Sequence, residues 1–320
     1  MAIAVLQRVA TGLVLLIAVI VLNFLLIRAA PGDAVDAIVG EAGGANQEQV
    51  AVLREAYGLD QPLHVQLFRY IGQVARGNLG QSFHQNKPVS ALILQSIPST
   101  VTLVLSALIL AVLVGTLLGV IAALNPRGLS SHLVTVLSLL GYATPTFWLG
   151  MMVLIVFSYW IPLFPAFGMR EVPPPDGLFA QFLDVAHHMV LPVFTLSILF
   201  LASYSRLSRA SMLDVLGADY VRTARAKGLA EYVVVLKHAL RNAALPIVTM
   251  AGLHLGNLLS GAILVETVFS LPGIGPLLYD AILSRDYPVM LGVLFTSGFM
   301  VIVANILTDL VYRIVDPRIR

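Results

Sequence analysis

Residues 88–126 read PVSALILQSIPSTVTLVLSALILAVLVGTLLGVIAALNP. These 39 residues contain no Asp, Glu, Lys or Arg. A helix needs about 20 apolar residues to cross roughly 30 Å of hydrocarbon. The stretch is therefore long enough to span a bilayer with residues to spare. Five more charge-free windows follow the same logic: 9–27, 128–169, 185–205, 242–265 and 287–308. They predict six membrane spans, at about 9–28, 99–124, 133–158, 188–208, 244–266 and 289–313. The 42-residue window has room in principle for two spans. Pro145, Pro162, Pro165 and the run Pro173-Pro174-Pro175 favour one span with an irregular exit instead.

Composition excludes the other broad classes. Apolar residues make up 58% of the 320 and charged residues 11%, with a mean hydropathy of +0.89. Soluble domains carry roughly 45–50% apolar and 25% charged residues. Disorder needs low hydrophobicity and high charge, the opposite balance. With no cysteine there is no disulfide, thiol nucleophile or Cys-based metal site. A net charge of +2 is no nucleic-acid footprint, and no nucleic-acid partner is expected. The fold class is thus an all-α integral membrane protein.

Charge distribution orients the chain. Six spans put both termini on one side. With the termini inside, 12 of the 19 basic residues fall on inner segments, as the positive-inside rule prefers. Asp33, Asp36, Glu41, Glu48, Glu55 and Asp60 all fall outside. Both termini are therefore expected in the cytoplasm. Ala29-Ala30 offers small residues for signal cleavage. The apolar run before it exceeds the usual 7–15-residue core, so an uncleaved first helix is expected.

Two loops exceed what chain reversal requires. The outer one, about 30–98, should hold helices of its own. Asn46 with Gln49 resembles a capping box, with Val50, Leu53 and Tyr57 at helical spacing and Gly58 as the stop. A second helix is expected at about 64–76, with Val65, Phe68, Ile71 and Val74 on one face. This loop is either an insertion that packs on itself or a docking surface. The inner loop, about 206–243, carries seven basic residues and three acids, and Gly217 and Gly228 interrupt its helical pattern. It is either a solvated basic loop touching anionic membrane lipid or a surface for a cytoplasmic protein.

Enzymatic motifs are missing. There is no G-x-x-x-x-G-K-[ST] phosphate loop, H-E-x-x-H zinc motif or G-x-S-x-G nucleophile turn. No catalytic residue, metal site or bound cofactor is expected. His187-His188 is a poor chelate, because adjacent helical residues do not share a face. His254 is read as a hydrogen-bonded packing residue. Glu266 and Asp309 sit near span ends, where water can reach them. Gly115, Gly119, Gly252, Gly256 and Ser260 allow close helix approach, within the bundle or against a partner subunit.

The inner loop carries a resemblance. Ala218-Asp219-Tyr220-Val221-Arg222-Thr223-Ala224-Arg225-Ala226-Lys227-Gly228, then His238-Ala239-Leu240-Arg241-Asn242 and Leu245-Pro246, resembles the cytoplasmic signature of permease subunits of bacterial ABC importers. The similarity is to the dipeptide/oligopeptide/nickel branch. The superfamily's general signature reads Glu-Ala-Ala, three residues, then Gly. Here only Ala224 and Gly228 fit, and the Leu-Pro pair lies further downstream, both usual for this branch. Further matches run along nearly the whole chain. They are Arg28-Ala29-Ala30-Pro31-Gly32-Asp33 (with Ala34 where Pro is expected), Tyr57-Gly58-Leu59-Asp60-Gln61-Pro62 and Gly77-Asn78-Leu79-Gly80-Gln81-Ser82. Pro145-Thr146-Phe147-Trp148-Leu149-Gly150, the stretch from Val265 to Gly275, Arg285-Asp286-Tyr287-Pro288 and Asp316-Pro317-Arg318 complete the set. Together they resemble the first of the branch's two permeases, the one with the long outer loop.

The resemblance implies a type I, MetI-like permease fold: residues 1–29 as N-terminus and first helix, 30–98 as a periplasmic helical loop, and 99–320 as a five-helix core. It implies a binding-protein-dependent importer of the bacterial inner membrane carrying di- or oligopeptides. Nickel, glutathione, opines or oligosaccharides are alternative cargo, and a stand-alone secondary transporter is the rival from another class. The implied partners are a second homologous permease, two cytoplasmic P-loop ATPases that use ATP and Mg, and a periplasmic or lipid-anchored solute-binding protein. Tyr220, Arg222, Thr223, Ala224, Arg225, Ala226 and Lys227 would form the ATPase-coupling helix, with Gly228 turning the chain at φ > 0. His238, Arg241 and Asn242 would brace the loop against the fifth span. Asn257 and Ser260 are candidate path-lining residues.

Overall fold

The computed structural model describes residues 2–29, 35, 39, 47–56 and 60–315; side chains at 2–9, 13, 26–28, 47–49, 53, 56, 253, 255–261, 307 and 309–315 lie outside that description. The described residues are mainly helical. The helices are α1 (Ala2–Ala29), α2 (Gln47–Ala56), α3 (Leu63–Ala75), α4 (Val89–Leu124), α5 (Leu129–Ala143) and α6 (Thr146–Leu154). A π-helical turn at Ile155–Trp160 extends α6. Then come α7 (Leu178–Leu216) and α8 (Asp219–Ala226). Glu231–Val233, a π-helical stretch Val234–Ala239 and Leu240–Val268 run on as α9, and α10 (Ile274–Leu283) and α11 (Tyr287–Val315) close the chain.

Five of the six predicted spans each fall on one helix and the third falls on two, and the helices overrun the windows. α4 starts ten residues before the expected position 99, and α7 covers 39 residues where about 21 were expected. At 1.5 Å per residue α7 is about 58 Å long, nearly twice the hydrocarbon thickness. Among the described residues, four helices are long and apolar enough to cross a membrane, and a bent pair makes a fifth. That pair is α5 with α6 and its π turn, and it corrects the expectation of one continuous third span. The two halves meet at 103°. Pro145 has no N–H to donate and disfavours the helical region for the residue before it. Thr144 accordingly turns extended at φ −82°, ψ 126°. Its N–H and Oγ1 both donate to the Leu140 carbonyl, at 3.1 and 2.7 Å, which closes α5.

The chain divides into two compact units, Met1–Pro98 with Pro272–Ile302, and Ser99–Leu271 with Val303–Arg320. In the first, Val89, Leu92 and Ile93 pack with Ile274, Ala281, Val289 and Val293. α3 spans nearly the predicted residues, and Val74 is buried while Phe68 stays 72% exposed. Tyr70 of α3 stacks on Phe24 of α1 with centroids 6.2 Å apart. The Asn46 cap and the Gly58 stop lie outside the described residues.

In the second unit the core is drawn from α4, α6, α7 and α9, around Leu103, Leu196, Phe200, Tyr204, Ile247 and Phe269. Gly115 and Gly119 serve internal packing. A Cβ on Gly115 would lie 2.7 Å from Tyr204 Cβ, and one on Gly119 would lie 2.5 Å from the Ser205 carbonyl oxygen. Gly252 lies against Thr308, whose Oγ1 donates to its carbonyl at 3.2 Å. Gly256 and Ser260 have side positions outside the described set.

Three polar expectations change or sharpen. Glu266 is fully buried rather than within reach of water. His254 packs edge-on against Phe200 and Tyr204 at 4.9 and 5.7 Å, and its ring nitrogens have no hydrogen-bond partner among the described residues. Among the described residues it is an aromatic-packed histidine rather than a hydrogen-bonded one. His187 Nε2 donates to the Leu163 carbonyl at 2.9 Å, and His188 Nδ1 meets Asp184 Oδ1 at 3.0 Å. Their rings stand at 82° to one another, so each histidine serves a separate structural contact.

Candidate coupling surface

The inner segment is a helical hairpin rather than a loop. α7 runs eight residues past the expected span end and stops at Leu216. Ala218 is extended, at φ −73°, ψ 149°, and α8 begins at Asp219. Asp219 lies in the first turn of α8 and Arg225 in the last, the signs that complement the helix dipole.

The burial pattern of α8 separates two faces. Val221 and Ala224 are buried with Val234 of α9, and Val215 and Leu216 pack beside them. A second cluster ties the base of the hairpin to the bundle through Val120 and Ala123 of α4, Met212 of α7, and Val235, Ala239 and Ala243 of α9. The other face is open. Tyr220 is 45% exposed, the Arg222 side chain 73%, and Ala226, Lys227 and Thr223 are exposed. Arg222 reaches Asp219 only at 3.5 Å, and Thr223 Oγ1 donates to the Asp219 carbonyl at 3.0 Å. The surface therefore offers an aromatic ring, a hydroxyl and a cation on a short helix, with a second cation, Lys227, at its C-terminal cap.

Gly228 makes the turn. Its φ is +75°, and nothing lies within 4 Å of where a Cβ would stand. Glycine adopts this left-handed region at no steric cost, whereas other residues are strained there. Across the turn Arg225 grips Glu231 with both ends of its fork: Nη2 to Oε1 at 2.7 Å and Nε to Oε2 at 3.2 Å. Those hydrogen bonds hold the Glu231 carboxyl below its ordinary value and raise the Arg225 guanidinium.

Glu231 and Val234 are functional candidates the sequence reading missed. The available signal was an Arg and a Glu of opposite charge flanking a glycine turn. His238, Arg241 and Asn242 all lie on α9 itself. Asn242 Nδ2 donates to the His238 carbonyl at 2.9 Å, a contact within one helix, and Arg241 is exposed. The hairpin is held by the Arg225–Glu231 pair and the Val221–Ala224–Val234 cluster. Asn257 and Ser260 lie on α9, with side chains outside the described residues.

The first unit holds a second polar centre. Ser82 and Asp286 are both buried, and Ser82 Oγ donates to Asp286 Oδ2 at 2.5 Å. The His84 N–H also donates to Oδ2, at 3.3 Å. A cavity of about 580 Å³ adjoins this pair, with His84, Gln85, Asp280, Ser284 and Leu277 in its wall. Two separately quoted motif stretches, 77–82 and 285–288, thus meet in one place.

Comparison with known proteins places this architecture. Residues 115–320 match the model of the binding-protein-dependent transport system inner membrane component, and residues 1–104 match the N-terminal model of such membrane components. A putative peptide permease of Brucella ovis is 42% identical over 98% of both chains. The dipeptide transport system permease DppB of Escherichia coli K12 is 39% identical, over 99% of this chain and 98% of its own. The oligopeptide transport system permease AppB of Bacillus subtilis is 37% identical, over 100% and 99%. Among solved structures, a chain of the MetNI methionine ABC transporter in an inward-facing conformation is similar in fold. Its TM-score is 0.54 at 16% identity, over 70% of this chain and 96% of that one. This chain, a multi-pass transporter component, belongs to the family of binding-protein-dependent transport system inner membrane components.

Proposed function

We propose that the chain is the first permease of an ATP-driven peptide importer and forms half of the translocation pathway for di- and oligopeptides. The cargo reading rests on relatives that are named peptide, dipeptide or oligopeptide permeases and align over nearly the full chain. The other half comes from a second homologous permease. Two cytoplasmic P-loop ATPases supply the energy, and a periplasmic or lipid-anchored solute-binding protein delivers the peptide. Both termini and the α8 hairpin face the cytoplasm.

The observation that carries the coupling role is the two-faced α8. One face is fixed to α9 by Val221, Ala224 and Val234, and the other presents Tyr220, Arg222 and Lys227 to a partner. A helix held this firmly transmits a push as a rigid lever. ATP-driven closure of the ATPase pair then moves α8, and with it α7 and α9, between inward-open and outward-open arrangements. The peptide-loaded binding protein must favour the outward-open arrangement for the cycle to be productive. Gly228 and the Arg225–Glu231 pair set the angle of the lever.

The test is mild-detergent purification of the tagged chain from native membranes, with mass spectrometry of its companions and peptide uptake by the reconstituted complex. A second permease, P-loop ATPases and ATP-dependent uptake are expected. Recovery of the chain alone, transporting without ATP, would return the secondary-transporter reading.

A further inference from the structure

Arg206 is a charge of α7 that meets an aromatic ring rather than an acid. It is exposed, and among the described residues no acidic side chain pairs with it. Its Cζ sits 5.2 Å from the centroid of the Tyr142 ring on α5, and Tyr142 is itself 56% exposed. Arg209, one turn further on, is engaged differently: its Nε donates to Ser131 Oγ at 3.1 Å.

These contacts fix the level of the Arg206 guanidinium along α5 and α7. α5 and α7 run antiparallel, because Ser131 meets Arg209 while Gly141 packs on Ile198. The backbone of Tyr142 is therefore level with about residue 197, and Arg206 with about residue 134. The two Cα atoms differ in height by roughly 12 Å. Side chains lean toward the N-terminus of their own helix. Tyr142 leans toward the Arg209 end of α7, and Arg206 leans away from it. They meet alongside the charge-free window 185–205. Arg206 thus points into the span, opposite to the direction in which an arginine snorkels to its nearest headgroups. A guanidinium exposed at that depth is costly against lipid, and intramembrane charges face water-filled cavities or partners.

The Tyr142 contact also leaves the binding atoms unspent. A guanidinium over a ring is held by its charge and not by its N–H hydrogen bonds. Its in-plane N–H groups remain available as a fork for a carboxylate. Every unmodified peptide carries one carboxylate at its C-terminus. We propose that Arg206, positioned by Tyr142, is a carboxylate-binding station in the translocation pathway, which receives the C-terminus of the passing peptide. This rests on the peptide-importer reading above.

The chain has no native cysteine, so Arg206→Cys gives it a single thiol. In the reconstituted complex an anionic methanethiosulfonate reagent is expected to modify that thiol from water. Arg206→Gln should keep subunit assembly and ATP hydrolysis stimulated by the loaded binding protein. Its peptide uptake should fall roughly tenfold or more, the scale of one lost charge-assisted contact. Arg206→Lys and Tyr142→Phe should retain most uptake, and Tyr142→Ala should reduce it. A thiol shielded from the aqueous reagent, or Arg206→Gln transporting at the wild-type rate, overturns the station. Lost assembly or lost ATPase stimulation in Arg206→Gln also overturns it, in favour of a structural arginine. A wild-type complex that carries no peptide overturns the cargo reading itself, whatever the thiol shows.

Discussion

Ser82 Oγ donates a 2.5 Å hydrogen bond to Asp286 Oδ2 across 204 residues of sequence. The carboxylate also accepts from the His84 and Val289 N–H groups, the latter at the start of α11. Ser82 Oγ in turn accepts from the Gln85 N–H at 2.9 Å. One buried carboxylate therefore caps the last helix and pins the 80–88 turn. Removing a partner of a buried charged group costs about 1–3 kcal/mol. Ser82→Ala should lower the melting temperature of the purified complex, and Asp286→Ala should lower it further. The double variant should be little worse than Asp286→Ala, because both remove the same bond. Additive losses in that cycle would show that the two residues act independently.

Gly228 is expected to be a coupling position rather than a packing one. A Cβ there meets nothing within 4 Å, so the penalty of a substitution is the left-handed backbone alone, of order 1–2 kcal/mol. Gly228→Val should therefore assemble while ATP hydrolysis loses its link to transport. Gly228→Asn should stay closer to wild type, since Asn tolerates that region. Loss of the protein from the membrane in Gly228→Val, instead of loss of coupling, would assign the glycine a purely structural role.

The Arg225–Glu231 pair should matter for function more than for stability, because both side chains are about half exposed and water screens such pairs. Arg225→Glu and Glu231→Arg should each reduce ATP-coupled uptake, and the exchanged double variant should recover part of it. The sign of the pH effect follows from the lowered Glu231 value. The pair's contribution is present above the ordinary carboxylate value and is lost as pH falls through the lowered folded value. The difference in stability between wild type and Glu231→Gln should shrink on that acidic descent. A difference that stays constant from neutral pH through the descent would remove the ion pair from the account.

Tyr70 supplies the alkaline counterpart. Burial pushes its phenol up to about 12 from 10.0. The folded state thus keeps the proton over a range where the unfolded chain has lost it. Its contribution is complete below about pH 10 and disappears as pH rises to about 12, roughly 2–3 kcal/mol in all. Subtracting the tyrosinate titration of Tyr70→Phe from that of wild type should leave one phenol titrating near the upper end. A difference curve centred near 10 would place Tyr70 in water.

Some of this was readable from residues and some was not. Charge-free windows locate spans, because a bilayer excludes charges wherever it lies. They do not locate helix ends: α7 continues through Arg206, Arg209 and Asp214 to Leu216, because a helix need not stop where its charge-free window does. Pro145 signals the break after Thr144, while the 103° angle depends on the packing of both halves. The glycine turn at 228 was legible from the helical pattern on either side. Glu231 as the partner of Arg225 was not, since that pairing exists only once the turn has closed. The aromatic seat of His254 is likewise supplied by Phe200 and Tyr204 from another helix.

Gly119 offers the most direct check on the α4–α7 crossing. A methyl group there would lie 2.5 Å from the Ser205 carbonyl oxygen, 2.6 Å from Ser208 Cβ and 2.8 Å from the Arg209 nitrogen. Two of those three atoms are backbone, so no rotamer change relieves the clash and the helices must part. Overpacking of this kind costs about 1–3 kcal/mol. It also pulls on Ser208, whose Oγ donates to the Thr116 carbonyl at 3.1 Å and ties the same two helices together. Gly119→Ala should therefore lower the melting temperature of the complex more than Gly72→Ala, because Gly72 on α3 has nothing within 4 Å of its added carbon. Equal melting temperatures for the two variants would mean that α4 and α7 do not approach this closely in the membrane.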